Sequence, residues 1–192
     1  ADAAAAASPY GQPYELLLAT KYATADEINY AHTLGVGKIG ENRVQSLLEK
    51  YDALHRDGLD IHFICSLQKN KVKYIIDKVS MIESLDSLPL AEEIERQAAK
   101  HEKVMDCLIE VNIGREAQKG GVLPEDVTDF AGKLAFFPHI RLCGIMTMAP
   151  KCDDPEDYRK YFRESYHIFI DICEKKLHNV DRHVLSMGMS RS

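Results

Sequence analysis

Short, unbroken apolar runs alternate along this chain with amphipathic stretches of helical period, and that alternation restricts its fold more than any single residue does. Leu16, Leu17, Leu18 and Ala19 form the first run, of the kind buried on both faces of a parallel sheet. It ends at Thr20 and Lys21. Thr24 is placed to cap a helix over 25–34. Gly35 and Gly37 stop that helix before a second strand, Lys38 and Ile39, which runs into Gly40, Glu41 and Asn42. This is a strand–helix–strand unit, and parallel neighbours need such a crossover.

The pattern repeats without a linker or a break in composition. Helices are expected over 43–55, 70–79, 88–101, 124–136 and 158–177, and strands over 61–65, 81–83, 107–113, 142–148 and 184–186. The 88–101 helix is the clearest, with Leu90, Ala91, Ile94 and Ala98 on one face against Glu92, Glu93, Glu95 and Arg96. Pro124 stands where a first-turn proline belongs. About seven strands, all but the last followed by a helix, predict either a doubly wound sheet or a TIM-type (β/α)8 barrel. Residues 1–192 are expected to form a single domain, with 1–14 outside the assignment because the alanines at 3–7 carry no side-chain chemistry. A closed barrel has eight strands and typically about 250 residues. The seventh candidate strand lies close to Ser192, so the expectation is a barrel without its last helix and strand, cut from a longer natural chain.

Composition narrows the function classes. The 24 basic residues are outnumbered by 30 acidic ones, a net charge of −6, which speaks against nucleic acid as a partner. No apolar run approaches the roughly 20 residues that span a bilayer, and a secretory signal is absent from the N-terminal residues. The expected location is cytoplasmic, or mitochondrial in a eukaryote. Cys65, Cys107, Cys143, Cys152 and Cys173 include no Cys-x-x-Cys pair, and none of the eight histidines lies three or four residues from another. Neither a disulfide framework nor a metal site is indicated.

In parallel α/β folds the loops after the carboxyl ends of the strands form the active face. These ends deliver Lys21, then Glu41 and Asn42, then Ser66, Gln68 and Lys69, then Asn112, and finally Ser190 within Ser186-Met187-Gly188-Met189-Ser190. A lysine held at a low-dielectric barrel mouth has its charged form disfavoured and its amine available to form a Schiff base. A lysine that snorkels to the surface accounts for the same pattern. Gly188 beside the Ser190 hydroxyl suits an anion such as a phosphate ester; an ordinary glycine turn with a capping serine is the alternative. Asn42 fits both a ligand contact and a cap on the next helix. The basic stretch 68–73 has no interleaved aromatics and reads as a solvated helix face. Met187 and Met189 suit packing or a place under a ligand better than a thioether metal pair.

These residues fall into ordered motifs. Leu16-Leu17-Leu18-Ala19-Thr20-Lys21 and Ile39-Gly40-Glu41-Asn42-Arg43-Val44-Gln45 resemble the opening of the pyridoxal-phosphate homeostasis proteins, the YggS and PROSC family. His62-Phe63-Ile64-Cys65-Ser66-Leu67-Gln68-Lys69-Asn70-Lys71 resembles its third-strand signature. Val111-Asn112-Ile113 with Lys119-Gly120 is similar to its fifth, Gly144-Ile145-Met146-Thr147-Met148 to its sixth, and Leu185-Ser186-Met187-Gly188-Met189-Ser190 to its phosphate-end motif. The resemblance covers roughly residues 16–190. It implies a barrel like the N-terminal domain of alanine racemase, holding pyridoxal 5′-phosphate as an imine on Lys21, with Asn42 beside the cofactor and Gly188, Met189 and Ser190 at its phosphate. Cys65 departs from the family's usual glycine, Tyr22 follows the lysine, and a proline common a few residues later is absent. The family also continues past the Met-Gly-Met-Ser segment to a helix and a strand bearing Arg-Ile-Gly, whereas this sequence ends at Arg191 and Ser192.

Two classes follow from the resemblance. One is a non-catalytic carrier for vitamin B6 homeostasis, a monomer that binds pyridoxal phosphate and passes it to apo forms of enzymes that need it. The other is a racemase or a related pyridoxal-phosphate enzyme. The carrier is expected, because racemisation needs a base on each face of the substrate, alanine racemase takes one from an additional domain, and the strand ends nominate no second base. A scaffold acting by protein contacts alone is a third reading.

Overall fold

The computed structural model describes residues 14–175 and 184–189. Among them seven strands form one parallel sheet: β1 (Leu18–Ala19), β2 (Lys38–Glu41), β3 (Asp60–Phe63), β4 (Met81–Leu85), β5 (Met105–Val111), β6 (Ile140–Ala149) and β7 (Val184–Met189). Six helices connect them: α1 (Ala25–Thr33), α2 (Val44–Tyr51), α3 (Val72–Ile75), α4 (Leu88–Lys100), α5 (Val127–Leu134) and α6 (Pro155–Glu174). The sheet order is the chain order. A doubly wound sheet reverses at a switch point, and this one has none. Right-handed crossovers that always step the same way put every helix on one face, so the sheet curls inward as a barrel wall. That is the alanine-racemase-like branch of the expectation; among the described residues no pairing joins β7 to β1.

The large core lies between sheet and helices. On β5, Met105, Cys107, Ile109 and Val111 belong to it, while Leu108 belongs to a second, smaller cluster with Met81, Cys143 and Met146, packed against Val184. The alternation is the two-residue period of a strand buried on both faces. Ile39, Phe63, Ile82 and Ile145 meet Leu47, Ile75, Ile94 and Ile172 in the large core, all 2 % exposed or less. Each such side chain contributes roughly 1.5–3 kcal/mol by leaving water.

Local chemistry starts and stops the elements. Thr24 caps α1 in a reciprocal box: its hydroxyl accepts from the Glu27 N–H at 3.3 Å, and the Glu27 carboxylate accepts from the Thr24 N–H at 2.8 Å. Pro155 opens α6 behind Asp154, whose side chain accepts from the Glu156 N–H. Several elements differ in length from their sequence patterns. The 43–55 helix ends at Tyr51. The 70–79 helix is a 3-10 turn, Lys69–Lys71, followed by a single α turn, and Lys103 Nζ donates to the carbonyls of Ile76 and Val79 beyond it at 3.0 and 2.6 Å. The 124–136 helix begins as a 3-10 turn over Pro124–Asp126. β7 extends through Met189 rather than stopping at Ser186.

Gly144 marks a shift in register between β5 and β6. Its φ is +146°, and a Cβ there would lie 1.9 Å from the Val184 carbonyl oxygen, so β6 and β7 approach closely only because the side chain is missing. Gly144→Ala is therefore expected to lower stability by about 3 kcal/mol or more. A denaturant midpoint unchanged from wild type would contradict that.

Candidate functional site

Because all strands run one way, their carboxyl ends share one rim. β1 pairs with β2 as Leu18 with Ile39 and Ala19 with Gly40, and the Thr20 N–H donates to the Gly40 carbonyl at 2.9 Å. Lys21 follows two residues beyond β1 and Asn42 one residue beyond β2, at the carboxyl ends of these two paired strands. Lys21 lies in a turn and is exposed, with its ammonium 4.9 Å from the centre of the Tyr22 ring.

Below the rim, Gly40 lets β2 pass tightly. A Cβ at that position would lie 2.6 Å from Leu17 and 2.7 Å from Ile64. Asn42 does not cap α2. The capping position is Arg43, which makes no side-chain cap bond, and Asn42 Oδ1 is a buried oxygen with no hydrogen-bond partner among the described residues. Leaving a buried acceptor unpaired costs about 1–3 kcal/mol, so this atom is shaped for a donor that the chain's described residues do not supply.

Glu41 points the other way, toward α2. It is 1 % exposed, accepts from the Thr20 hydroxyl, and pairs with Lys50 Nζ at 2.5 Å. Lys50 also donates to the carbonyls of Thr20 and Ala23, at 3.1 and 3.2 Å. Sequence reasoning passed over Lys50 because a lysine late in an amphipathic helix looks like solvated surface.

The other strand ends contribute less. Cys65, Ser66, Gln68 and Lys69 are exposed on the loop after β3. Asn112 organises its own loop: its amide donates to the carbonyls of Glu116 and Lys119, and its Oδ1 accepts from the Glu116 N–H. Gly188 and Met189 sit within β7, paired in register with Met148 and Ala149, so Gly188 is a strand residue and not part of a turn after the strand. Ser190 lies outside the described residues, as do Arg191 and Ser192.

Three ionisable clusters inside the sheet were not singled out from the sequence. On β3 and β4, His62 Nδ1 is 2.6 Å from Glu83 Oε1, both buried. On β5 and β6, the Arg141 guanidinium donates to Asp106 at 2.6 Å, which holds Arg141 even more firmly in its charged form. Glu110 on β5 has a buried oxygen with no hydrogen-bond partner among the described residues. Burial, with Asp86 nearby as a like charge, raises its pKa to about 7. Glu83 carried a visible signal, a charge inside an otherwise apolar strand; Glu110 carried the same one.

Comparison with known proteins identifies what the chain as a whole is similar to. The family model for the N-terminal domain of alanine racemase matches residues 17–192. A pyridoxal phosphate homeostasis protein of Aquifex aeolicus is 43% identical over 176 residues, spanning 92% of this chain and 76% of the relative. One of Helicobacter pylori is 31% identical over 178 residues, with 92% and 77% covered. Among solved structures, PipY of Synechococcus elongatus with PLP bound has a TM-score of 0.83 at 24% identity, covering 100% of this chain and 88% of that one. Alanine racemase of Clostridium difficile superposes at 0.76 and 14% identity, over 90% of this chain and 45% of that one. At those identities the two structures speak for the fold.

The raised pKa of Glu110 sets a pH dependence with a definite sign. The folded state keeps the Glu110 proton up to about pH 7, whereas the unfolded chain loses it near the ordinary carboxylate value of 4.5. Folding thus binds a proton across that window, and stability falls as pH rises through it, by on the order of 2–3 kcal/mol in full. Glu110→Gln should remove this slope, so that the variant gains on wild type between pH 4.5 and pH 8 in denaturant unfolding. Parallel pH profiles for the two proteins would refute the assignment.

Proposed function

Because the chain belongs to the pyridoxal phosphate homeostasis proteins, within the alanine racemase N-terminal-domain family, we propose that it holds pyridoxal 5′-phosphate on Lys21 and carries it without catalysing a reaction. Bound there, the cofactor supplies an aldehyde that condenses with a primary amine, with loss of water, and a phosphate dianion. Lys21 Nζ is the amine. The observation that carries the reading is the buried Asn42 Oδ1, without a hydrogen-bond partner among the described residues, at the carboxyl end of β2, the strand that pairs with the one leading to Lys21, an acceptor suited to a hydroxyl of a bound ring. Gly188, Met189 and Ser190 are assigned to the phosphate end, on the resemblance of their motif, and an eighth strand closing the barrel goes with that assignment.

A carrier rather than an enzyme is favoured because the carboxyl end of β2 supplies no free base: Asn42 is an amide, and Glu41 is held by Thr20 and Lys50. On this reading the protein is a cytoplasmic monomer and its recipients are apo enzymes that use the cofactor. The relatives' shared name as homeostasis proteins agrees with a non-enzymatic role.

Protein incubated with pyridoxal phosphate should turn yellow, and borohydride should fix one cofactor mass on the peptide containing Lys21. Lys21→Ala should abolish this adduct, and a label found on a different lysine would defeat the assignment. Asn42→Ala should weaken retention about tenfold, the loss expected for one hydrogen bond to a buried acceptor, and Ser190→Ala should weaken it while leaving the fold intact. Steady racemisation of L-alanine at enzyme-like rates would replace the carrier reading with the racemase one.

A further inference from the structure

We infer that Lys50 is a positioning residue for Lys21: its ammonium, seated on the buried Glu41 carboxylate, grips both ends of the turn that presents the reactive lysine. The inference rests on the reading of Lys21 as the attachment amine. An ammonium has three protons, and three acceptors from the chain surround this one: Glu41 Oε1 at 2.5 Å, the Thr20 carbonyl at 3.1 Å and the Ala23 carbonyl at 3.2 Å. Thr20 and Ala23 bracket Lys21 and Tyr22, and the Ala23 N–H closes the turn by donating to the Thr20 carbonyl at 3.1 Å. The Thr20 hydroxyl reaches the same carboxylate. Backbone and side chain of the residue before Lys21 are thereby tied to α2 through one buried pair.

Stability alone is a weak account of that pair. Removing two charges from water costs several kcal/mol per ion, and buried pairs exchanged for apolar residues often leave a protein as stable as before. Here Glu41 is 1 % exposed and keeps its second oxygen without a hydrogen-bond partner among the described residues. What the arrangement does accomplish is geometric. β1 is only two residues long, so sheet pairing by itself holds Lys21 poorly. Two carbonyls fixed from beneath set where the turn sits and leave the Lys21 side chain on the rim. Reaction between groups held in place loses rate steeply when one of them shifts.

The test uses Lys50→Met combined with Glu41→Gln, which removes both charges together, and Lys50→Arg, which keeps the charge but offers a planar fork in place of three tetrahedral donors. In both proteins the rate of borohydride-trappable attachment of pyridoxal phosphate to Lys21 should fall at least about tenfold. Amide hydrogen exchange at Ala23 should quicken while exchange in β5 stays at the wild-type rate. Should the double variant fail to fold, Lys50→Arg decides. A folded variant with wild-type attachment and wild-type exchange at Ala23 overturns the inference, and so does slowing that merely follows a loss of protection throughout the sheet. If wild type forms no adduct on Lys21, the carrier reading fails, whereas the exchange at Ala23 still reports whether Lys50 holds the turn.

Discussion

Everything at the rim depends on the parallel pairing of strands in strict chain order. One direction of travel delivers every carboxyl end to the same side, and one direction of stepping leaves every helix on the same face. The helix face then takes the bulk of the apolar side chains, and the inner face is left for a small cluster and for ion pairs. Lys21 and Asn42 come to adjacent strand ends because β1 and β2 pair, although residues 20–37, a helix and its loops, separate the two strands in sequence.

The ionisable pairs follow a common logic on both faces. Asp106 with Arg141 and Glu41 with Lys50 each join a buried acid on one element to a base on a neighbouring one, and His62 on β3 meets Glu83 on β4. A charge removed from water is tolerable when its opposite comes with it, and each pair also spans two neighbouring elements. Glu110 is the departure. It lies near Asp86, a like charge, and meets the cost of burial by holding its proton.

Much of this architecture was legible in the sequence. The alternation of apolar runs and amphipathic stretches located all seven described strands, and Thr24 announced α1. Lengths were less legible: the carbonyls that follow α3 are taken by Lys103, a distant partner that no local pattern contains. The same limit governed the site. Lys21 and Asn42 stood at strand ends where polar residues attract notice, but only the three-dimensional placement separated the two readings of Asn42, by giving the cap position to Arg43. Lys50 lies in a different element from the turn it grips, and its solvated appearance as a helix lysine hid a buried ammonium. Gly188 looked like a turn because glycine usually marks one, yet it lies inside β7, where a Cβ would meet Met148 at ordinary contact distance.

A lysine as the proposed point of attachment also bears on time. An imine between an amine and an aldehyde forms and hydrolyses reversibly, so occupancy on the proposed reading follows the free concentration of cargo by mass action, as for any reversible ligand. Such a protein fills when its ligand is plentiful and empties when it is scarce, without a gate or an energy source. Its residence time would be set by hydrolysis at a single bond, and the rigidity of the turn beneath Lys21 would tune how often a released molecule is recaptured before it diffuses away.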